Sequence, residues 1–410
     1  GGEQAAAIRG GFTGTNGQRG HALRDLSDMR QPPAPQVTHQ TQVVIAGGGV
    51  AGLAAARALR LRGIDDFALL ELEDFAGGNS RAGEVKGIPC PLGAHYLPVP
   101  GDNAHEVQAL LEELGLRQRV AGRWQYDERH LCHSPQERLF FQGDWQEGLL
   151  PVQGVGEATL AQYRRFAERV QALGKAARFT MPMLKSFDAK RPLAPTHKAL
   201  DAMTFAAWLD QEGLDDPHLR WYLDYCCRDD YGAGTARVSA WAGTHYFASR
   251  HGFHAPGEAA AEDREGVLTW PEGNGWLTQR LAAPLHDGGQ LRTACSVLRI
   301  TEGRHGVQVD AFNHATDSVE RWQAQRCIVA LPVFVAARVV QGPPAFLREA
   351  AQRLSWAPWL VANIHIDAPL ADRPGAAPAW ATALYGAPNP GDLGSVDAGP
   401  PRPDPRAVLA

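Results

Sequence analysis

The sequence predicts an α/β protein with one Rossmann-like half, and three observations carry that reading. Gln42-Val-Val-Ile-Ala46 reads as a buried strand, Val50–Arg62 as a helix rich in Ala and Leu, and Asp66–Leu70 as a second strand. That is a β–α–β unit within about thirty residues. Its first turn is Gly47-Gly48-Gly49-Val50-Ala51-Gly52. Finally, an α/β rhythm returns from Gly266, after an irregular, aromatic-rich stretch over 120–265.

Composition supports this class and excludes others. A chain of 410 residues needs two to three domains. With 44% hydrophobic and 21% charged residues it is globular, and 44 Gly with 29 Pro exclude a helical bundle or coiled coil as the whole structure. A net charge of −5 offers no basic surplus, so nucleic acid is not the expected partner. The six Cys include no C-x-x-C, and the adjacent Cys226-Cys227 suit neither an ordinary disulfide nor a tetrahedral zinc site. Val43–Ala56 lacks charge but holds four glycines and is short for a membrane span, so no transmembrane segment is expected. The chain begins with Gly, as a processed or trimmed form does, and both a cytoplasmic and an exported location stay open.

The elements follow in order. Residues 1–40 read as a flexible tail closed by the linker Gln31-Pro-Pro-Ala-Pro35. After the β–α–β unit, His105–Leu116 reads as a helix stopped by Gly115, and Leu160–Ala177 and Thr204–Glu212 as further helices. Asn274–Leu285 suits a helix, and Gln290–Thr293, Val297–Thr301, Gly306–Asp310 and Cys327–Ala330 suit strands. Residues 371–410 hold eight prolines without periodicity and read as loop. No internal repeat is visible.

The glycine turn has a specific chemistry. Gly47 permits the tight turn, Gly49 lets the backbone approach a pyrophosphate beside Ala51, and Gly52 lets the helix pack closely on the strand. The helix N-terminus then presents N–H groups and a positive dipole end to phosphate. Glu71 ends the second strand, nineteen residues past Gly52, where a carboxylate can accept both hydroxyls of an adenosine ribose. Glu73 is its rival, two residues further on.

Downstream come Gly77-Gly78-Asn79-Ser80-Arg81 and Leu92-Gly93-Ala94-His95. Far along the chain, Trp270-Pro-Glu-Gly-Asn-Gly-Trp-Leu277 leads to Leu281–Leu285, Val297 and Ile328-Val-Ala-Leu-Pro332. In order and spacing these segments resemble the flavin-containing amine oxidase superfamily, which includes monoamine and polyamine oxidases, phytoene-type desaturases and protoporphyrinogen oxidase. The resemblance covers residues 41–370, strongest at the two ends. It implies FAD, bound by a two-dinucleotide-binding-domain fold with an interleaved α+β substrate domain. The expected division is an FAD segment at 41–120, a substrate domain at 121–265, a second FAD segment at 266–340 and the start of a second substrate segment at 341–410. It also implies that Gly78, Gly93, Ala94 and His95 lie along the flavin and that Val297 touches adenine through its backbone.

Three departures stand out. The family's Arg after Gly-Gly is Asn79 here, which leaves Arg81, helped by Asn79 and Ser80, to meet the pyrophosphate. Many relatives carry a Lys that holds a water at the flavin, at or near Ala362 on a strand resembling Trp359–Ile366. Only Lys86, Lys175, Lys185, Lys190 and Lys198 occur in this chain, so no Lys stands there. The family's closing Gly-Asp and helix find only Gly391-Asp392, before Pro400, Pro401, Pro403 and Pro405. The chain is therefore expected to be part of a longer protein, its flavin-ring end incomplete and Val408-Leu-Ala410 the start of a strand.

Other constellations carry less. Trp221, Tyr222, Tyr225, Tyr231, Trp241, Tyr246 and Phe247 read either as a substrate channel or as a core helix pair. Arg228, Asp229 and Asp230 read as ligands of a polar substrate or as a solvated turn. His251-x-x-His254 and His130-x-Cys132-His133 lack a third ligand at a recognisable spacing, so no metal is expected. His95 and His245 are the acid–base candidates, His95 with the better case from the resemblance. The expected activity is flavin-dependent hydride abstraction from a C–N or C–C bond of a small organic substrate. A desaturase or isomerase of an apolar substrate and a non-catalytic flavoprotein module remain open.

Overall fold

Helix α1 (Gly17–Ser27) opens the described chain, where the composition predicted a tail. Strand β1 (Val37–Ala46), helix α2 (Val50–Leu61) and strand β2 (Phe67–Leu70) form the expected β–α–β unit, followed by the hairpin of β3 (Ala82–Val85) and β4 (Ile88–Pro91). The computed structural model describes residues 8–13, 15–27, 33–132, 137–187, 190, 192–250, 252–257, 266–368, 381–387, 393–396 and 407–409.

The middle of the chain holds β5 (Tyr96–Pro98), α3 (His105–Glu113), β6 (Arg117–Val120), β7 (Arg123–Tyr126), β8 (Leu131–Cys132), β9 (Glu137–Phe141) and β10 (Asp144–Glu147). Helices α4 (Glu157–Ala176), α5 (Pro195–Asp201), α6 (Phe205–Gln211), α7 (Pro217–Tyr231) and α8 (Ala240–Ala248) and strand β11 (Val267–Thr269) follow. Then come α9 (Gly275–Asp287), β12 (Leu291–Arg292), β13 (Cys295–Gly303), β14 (Gly306–Asn313), β15 (Ser318–Val329), α10 (Val333–Val339) and α11 (Ala345–Arg353). Short strands β16 (Ile364–Ile366), β17 (Ala381–Leu384), β18 (Ser395–Val396) and β19 (Ala407–Leu409) end the chain.

These elements make two units, Gly1–His95 with Glu272–Ser355 and Tyr96–Pro271 with Trp356–Ala410. Unit 1 is built on a six-stranded sheet in the order β12-β2-β1-β15-β14-β13. The pairs β12–β2, β2–β1 and β1–β15 are parallel; β15–β14 and β14–β13 are antiparallel. Val44, Ala46, Ala68 and Leu70 bury against Val297, Ile300, Val309 and Trp322. Each large apolar side chain so buried contributes ~1.5–3 kcal/mol. Helix α2 turns Gly52, Leu53 and Ala56 inward, a face that only small residues keep close to the sheet.

Unit 2 has a helical core in which Tyr163, Phe166, Phe205, Trp208 and Phe247 interdigitate. Its helices begin where the sequence supplies caps. The Asp216 carboxylate accepts from the His218 and Leu219 N–H groups at 2.9 and 3.1 Å, Pro217 takes the first helical position, and Gly232 at φ 65° ends α7. Thr204 and Ser239 cap α6 and α8 the same way. A four-stranded sheet, β10-β9-β17-β18, buries Leu139 and Phe141 beside Tyr225.

The structure differs from the sequence expectations in four elements. Residues 17–27 are helical rather than a tail, held by contacts described below. β1 begins at Val37, not Gln42, because β15 is twelve residues long and pairs as far as Glu320. By contacts, the first compact unit closes at His95 and α3 belongs to unit 2. Of the strand expected over 359–366 only Ile364–Ile366 forms, with Ala362 outside it. Within 371–410, expected as loop, β17 pairs with β9 and β18, and β19 pairs with β16. Gly391-Asp392 and Pro400, Pro401, Pro403 and Pro405 lie outside the described residues.

Candidate cofactor site

The glycine turn is folded as its chemistry demands. Gly47 sits at φ +101°, and a Cβ there would lie 2.4 Å from the Ala330 carbonyl oxygen. A Cβ on Gly52 would lie 1.8 Å from the Gly47 oxygen, so no other residue fits where α2 meets β1. Gly49 differs. It is the N-cap of α2, with extended backbone and no capping side chain, and a Cβ on it would meet nothing nearer than the Gly78 Cα at 3.7 Å. Gly49 is thus uncrowded, at a helix N-terminus whose first N–H groups donate to no side chain among the described residues. Such a place accepts a phosphate.

Glu71 is buried at the end of β2 and its carboxylate is tied to the loop. The Gly48 N–H donates to Oε2 at 2.9 Å and the Glu73 N–H to Oε1 at 3.2 Å. Burial pushes the Glu71 carboxyl above its ordinary range, and those two N–H groups and Arg81 pull it back. The rival Glu73 is engaged otherwise: its carboxylate accepts the Asn16 N–H and stands 3.8 Å from the Arg81 guanidinium.

The Gly77–Arg81 segment closes on the same loop. The Gly77 N–H donates to the Gly48 carbonyl at 2.8 Å, and Ser80 N–H to Gly77 O at 2.9 Å. Arg81 is no surface arginine: its side chain is 12% exposed, and its Nε donates to the Gly78 carbonyl at 2.8 Å. Asn79 works through its backbone, accepting the Ala94 N–H at 2.8 Å; a Cβ on Gly93 would lie 2.0 Å from that same oxygen. Ala94 O in turn accepts the Asn274 N–H at 2.9 Å. His95 is half-buried; burial lowers its pKa, and its Nδ1 stands 3.4 Å from Gly93 O. Val297 lies in β13, where the register shifts between Val297 and Arg299, and the neighbouring Cys295 N–H donates to Glu71 O at 2.9 Å. One backbone network therefore joins Gly47–Gly52, Glu71, Gly77–Arg81 and Gly93–His95, with β13 bonded to its edge. Sequence reasoning missed Thr278 on α9, whose hydroxyl donates to the Ser80 carbonyl at 2.7 Å.

Unit 2 has a second charged region. Glu137 heads β9, and Asp229 and Asp230 end α7. Burial first and the Asp229 charge second raise the Glu137 pKa to about 7. Burial and the neighbouring Asp230 raise Asp229 to about 6. Tyr96 lies within reach of the same charges, its phenol pushed up by burial and then by Asp229 and Asp230. Arg250 donates to Asp230 at 2.9 Å and lies 4.0 Å over the Tyr246 ring. Glu137 escaped the sequence reading, yet the alternation Glu137-x-Leu139-x-Phe141 puts it on the buried face of its strand.

The other candidates sort plainly. Tyr222, Trp241, Tyr246 and Phe247 pack in the helical core and Tyr225 against the sheet, so much of this aromatic set is core. Arg228 pairs with Asp224 at 3.0 Å. His245 Nε2 is 2.9 Å from the Thr180 carbonyl and its ring stacks on Trp241, a structural role. The Cys227 thiol is pushed up to about 12 by burial, and Cys226 well above its usual range, so neither supplies a thiolate near neutrality. Among the described residues no group of three His, Cys, Asp or Glu could hold a metal ion, and no helix is long and apolar enough to cross a membrane. His133 and His251 lie outside the described residues.

A glycine turn at a helix N-terminus on a Rossmann-like sheet, with a buried carboxylate just after β2, is the arrangement of a dinucleotide-binding protein. The family model for flavin-containing amine oxidoreductases matches residues 50–395, and the chain belongs to that family. Its cofactor is FAD, and the uncrowded Gly49 at the N-terminus of α2 and the buried Glu71 fit that group. An L-amino acid dehydrogenase of Synechocystis sp. is 29% identical over 163 residues, 40% of this chain. That match spans 31% of the relative's length, under a third. The structure of putrescine oxidase bound to putrescine superposes with a TM-score of 0.64 at 21% identity, covering 91% of this chain and 75% of that one. Cyclohexylamine oxidase from Brevibacterium oxydans gives 0.59 at 18%, covering 90% and 74%. The two structural likenesses establish the fold.

Proposed function

We propose that the protein is an FAD-dependent oxidoreductase that removes a hydride from the C–N bond of a small organic amine. The observation that carries this reading is the glycine turn at the N-terminus of α2, where a Cβ on Gly49 would meet nothing nearer than 3.7 Å, beside the buried Glu71. Gly47, Gly49, Ala51 and Gly52 form the pyrophosphate turn and Glu71 accepts the ribose hydroxyls. Gly78, Asn79, Ser80, Gly93, Ala94 and His95 line the remainder, and Val297 meets the adenine. Arg81 acts by holding Gly78 and Glu73 in place rather than as a free counter-ion.

The bound flavin supplies the hydride acceptor. The chain supplies position and charge. Glu137 and Asp229, both raised toward neutrality, recover charge stabilisation when a cationic amine enters unit 2 beside Tyr96, which supports an amine over an apolar substrate. His95, its pKa lowered by burial, is neutral near pH 7 and able to accept a proton. The protein purified with added FAD should be yellow, and anaerobic addition of amines should bleach its flavin band. A colourless protein that takes up no FAD would overturn the cofactor reading. Bound flavin that no amine reduces would overturn the substrate reading, in favour of C–C desaturation or isomerisation or a non-catalytic module.

A further inference from the structure

We infer that α1 is a clamp on the adenosine end of the FAD site and that Arg19 is its positioning residue. The inference rests on the reading of Glu71 and Val297 as adenosine contacts. Three sets of contacts in unit 1 carry it. The backbone N–H of Asn16 donates to both carboxylate oxygens of Glu73, at 3.1 Å each. Arg19 NH1 donates to the Leu72 carbonyl at 2.9 Å and stands 2.9 Å from Asp74 Oδ1, with the Arg19 side chain only 16% exposed. Leu23, one turn on, packs into the cluster that contains Cys295 and Val297.

The helix therefore grips the Leu72–Asp74 loop with its first turn and β13 with its second. Those are the two pieces of chain flanking Glu71 and Val297. The loop matters because Glu71 is set by it: the Glu73 N–H donates to Glu71 Oε1, and the Ala294 N–H to Glu73 O at 2.9 Å. Asn16 fixes the Glu73 side chain, Arg19 fixes the Leu72 carbonyl on one side and the Asp74 carboxylate on the other, and the Glu73 N–H is thereby aimed at Glu71. The Asn16 side chain holds the arrangement from the helix side, accepting the Arg19 N–H at 3.1 Å as an N-cap. The geometry also explains why Glu71 and not Glu73 is left for a ribose: α1 and Arg81 have already taken the Glu73 carboxylate.

The test uses the full chain and three probes: FAD, ADP as the adenosine half, and FMN, which lacks the adenosine. Arg19→Ala should weaken FAD and ADP binding by about 10-fold each while FMN binding and the unfolding midpoint of the cofactor-free protein stay as in the parent. Arg19→Lys, which can still reach Leu72 O and Asp74, should recover most of the loss. Unchanged FAD and ADP affinity in Arg19→Ala overturns the clamp, and so does an equal loss with FMN, which marks general loosening. A parent chain that binds neither FAD nor ADP overturns the cofactor reading itself, and the clamp falls with it.

Discussion

The two acidic regions are built in opposite ways. In unit 1, Glu71 is buried but met by two backbone N–H groups and tied into a network of loop amides. In unit 2, Glu137 is raised to about 7, with Asp229 adding repulsion, and no hydrogen bond to its carboxylate is seen among the described residues. A carboxylate satisfied by backbone is ready to hold a fixed ligand of known shape. One left strained by burial gains most when a cation arrives, so its charge responds to ligand and pH. The first arrangement suits a resident cofactor, the second a substrate that comes and goes.

The largest effects separate folding from binding at the glycine turn. Gly52→Val must displace backbone, since even a Cβ falls 1.8 Å from Gly47 O, and it should abolish soluble folded protein, checked by circular dichroism. Gly49→Val has space in the protein, so it should fold with a parental unfolding midpoint yet lose FAD by 100-fold or more, on the order of 3 kcal/mol. Parental FAD affinity in Gly49→Val would mean that this loop is not the pyrophosphate site. Next comes Glu71→Ala, which on the proposed reading removes charge-assisted bonds to ribose worth ~1.5–3 kcal/mol, a 10- to 100-fold loss read by FAD titration.

The Glu137 prediction concerns pH. Its folded pKa near 7 exceeds the ordinary 4.5, so the folded protein binds this proton more tightly than the unfolded chain. The stability it lends is full below about 4.5 and is lost as pH rises to about 7. Glu137→Gln should therefore stabilise the fold at pH 8 more than at pH 5, seen in unfolding midpoints. For a cationic amine the sign reverses. Ionised Glu137 attracts it, so KM should fall by about 10-fold from pH 6 to pH 8 in the parent and stay flat in the Gln variant. A parental slope in Glu137→Gln would remove this residue from the substrate region.

This contrast also decides what could be read from sequence. The glycine turn, Glu71 and the Gly77–Arg81 and Gly93–His95 segments are legible because each does its work through local backbone geometry, which fixes residue type and spacing. The strands around Val297 are legible for the same reason. Helix α1 is not: Gly17–Ser27 is polar and short, its helicity depends on Glu73, Leu72 and β13, and none of those contacts is local in sequence. The unit 2 charges were half-visible. Asp229 and Asp230 drew notice, but only the fold brings Glu137, some ninety residues earlier, within reach of Asp229's charge.

The smallest effect tests that pairing directly. Burial is the larger cause of the Glu137 shift and the Asp229 charge the smaller. Asp229→Asn removes the repulsion and leaves the burial in place. The Glu137 pKa, followed by the carboxyl carbon resonance in NMR or by the inflection of KM with pH, should then move down by the smaller part of its displacement. It should not return to 4.5. A full return would mean that charge repulsion, not desolvation, holds the carboxyl up, and unit 2 would then be an acidic cluster open to water. No movement at all would mean that Glu137 and Asp229 do not feel each other. A cationic substrate, as proposed, would then meet one carboxylate rather than a coupled pair.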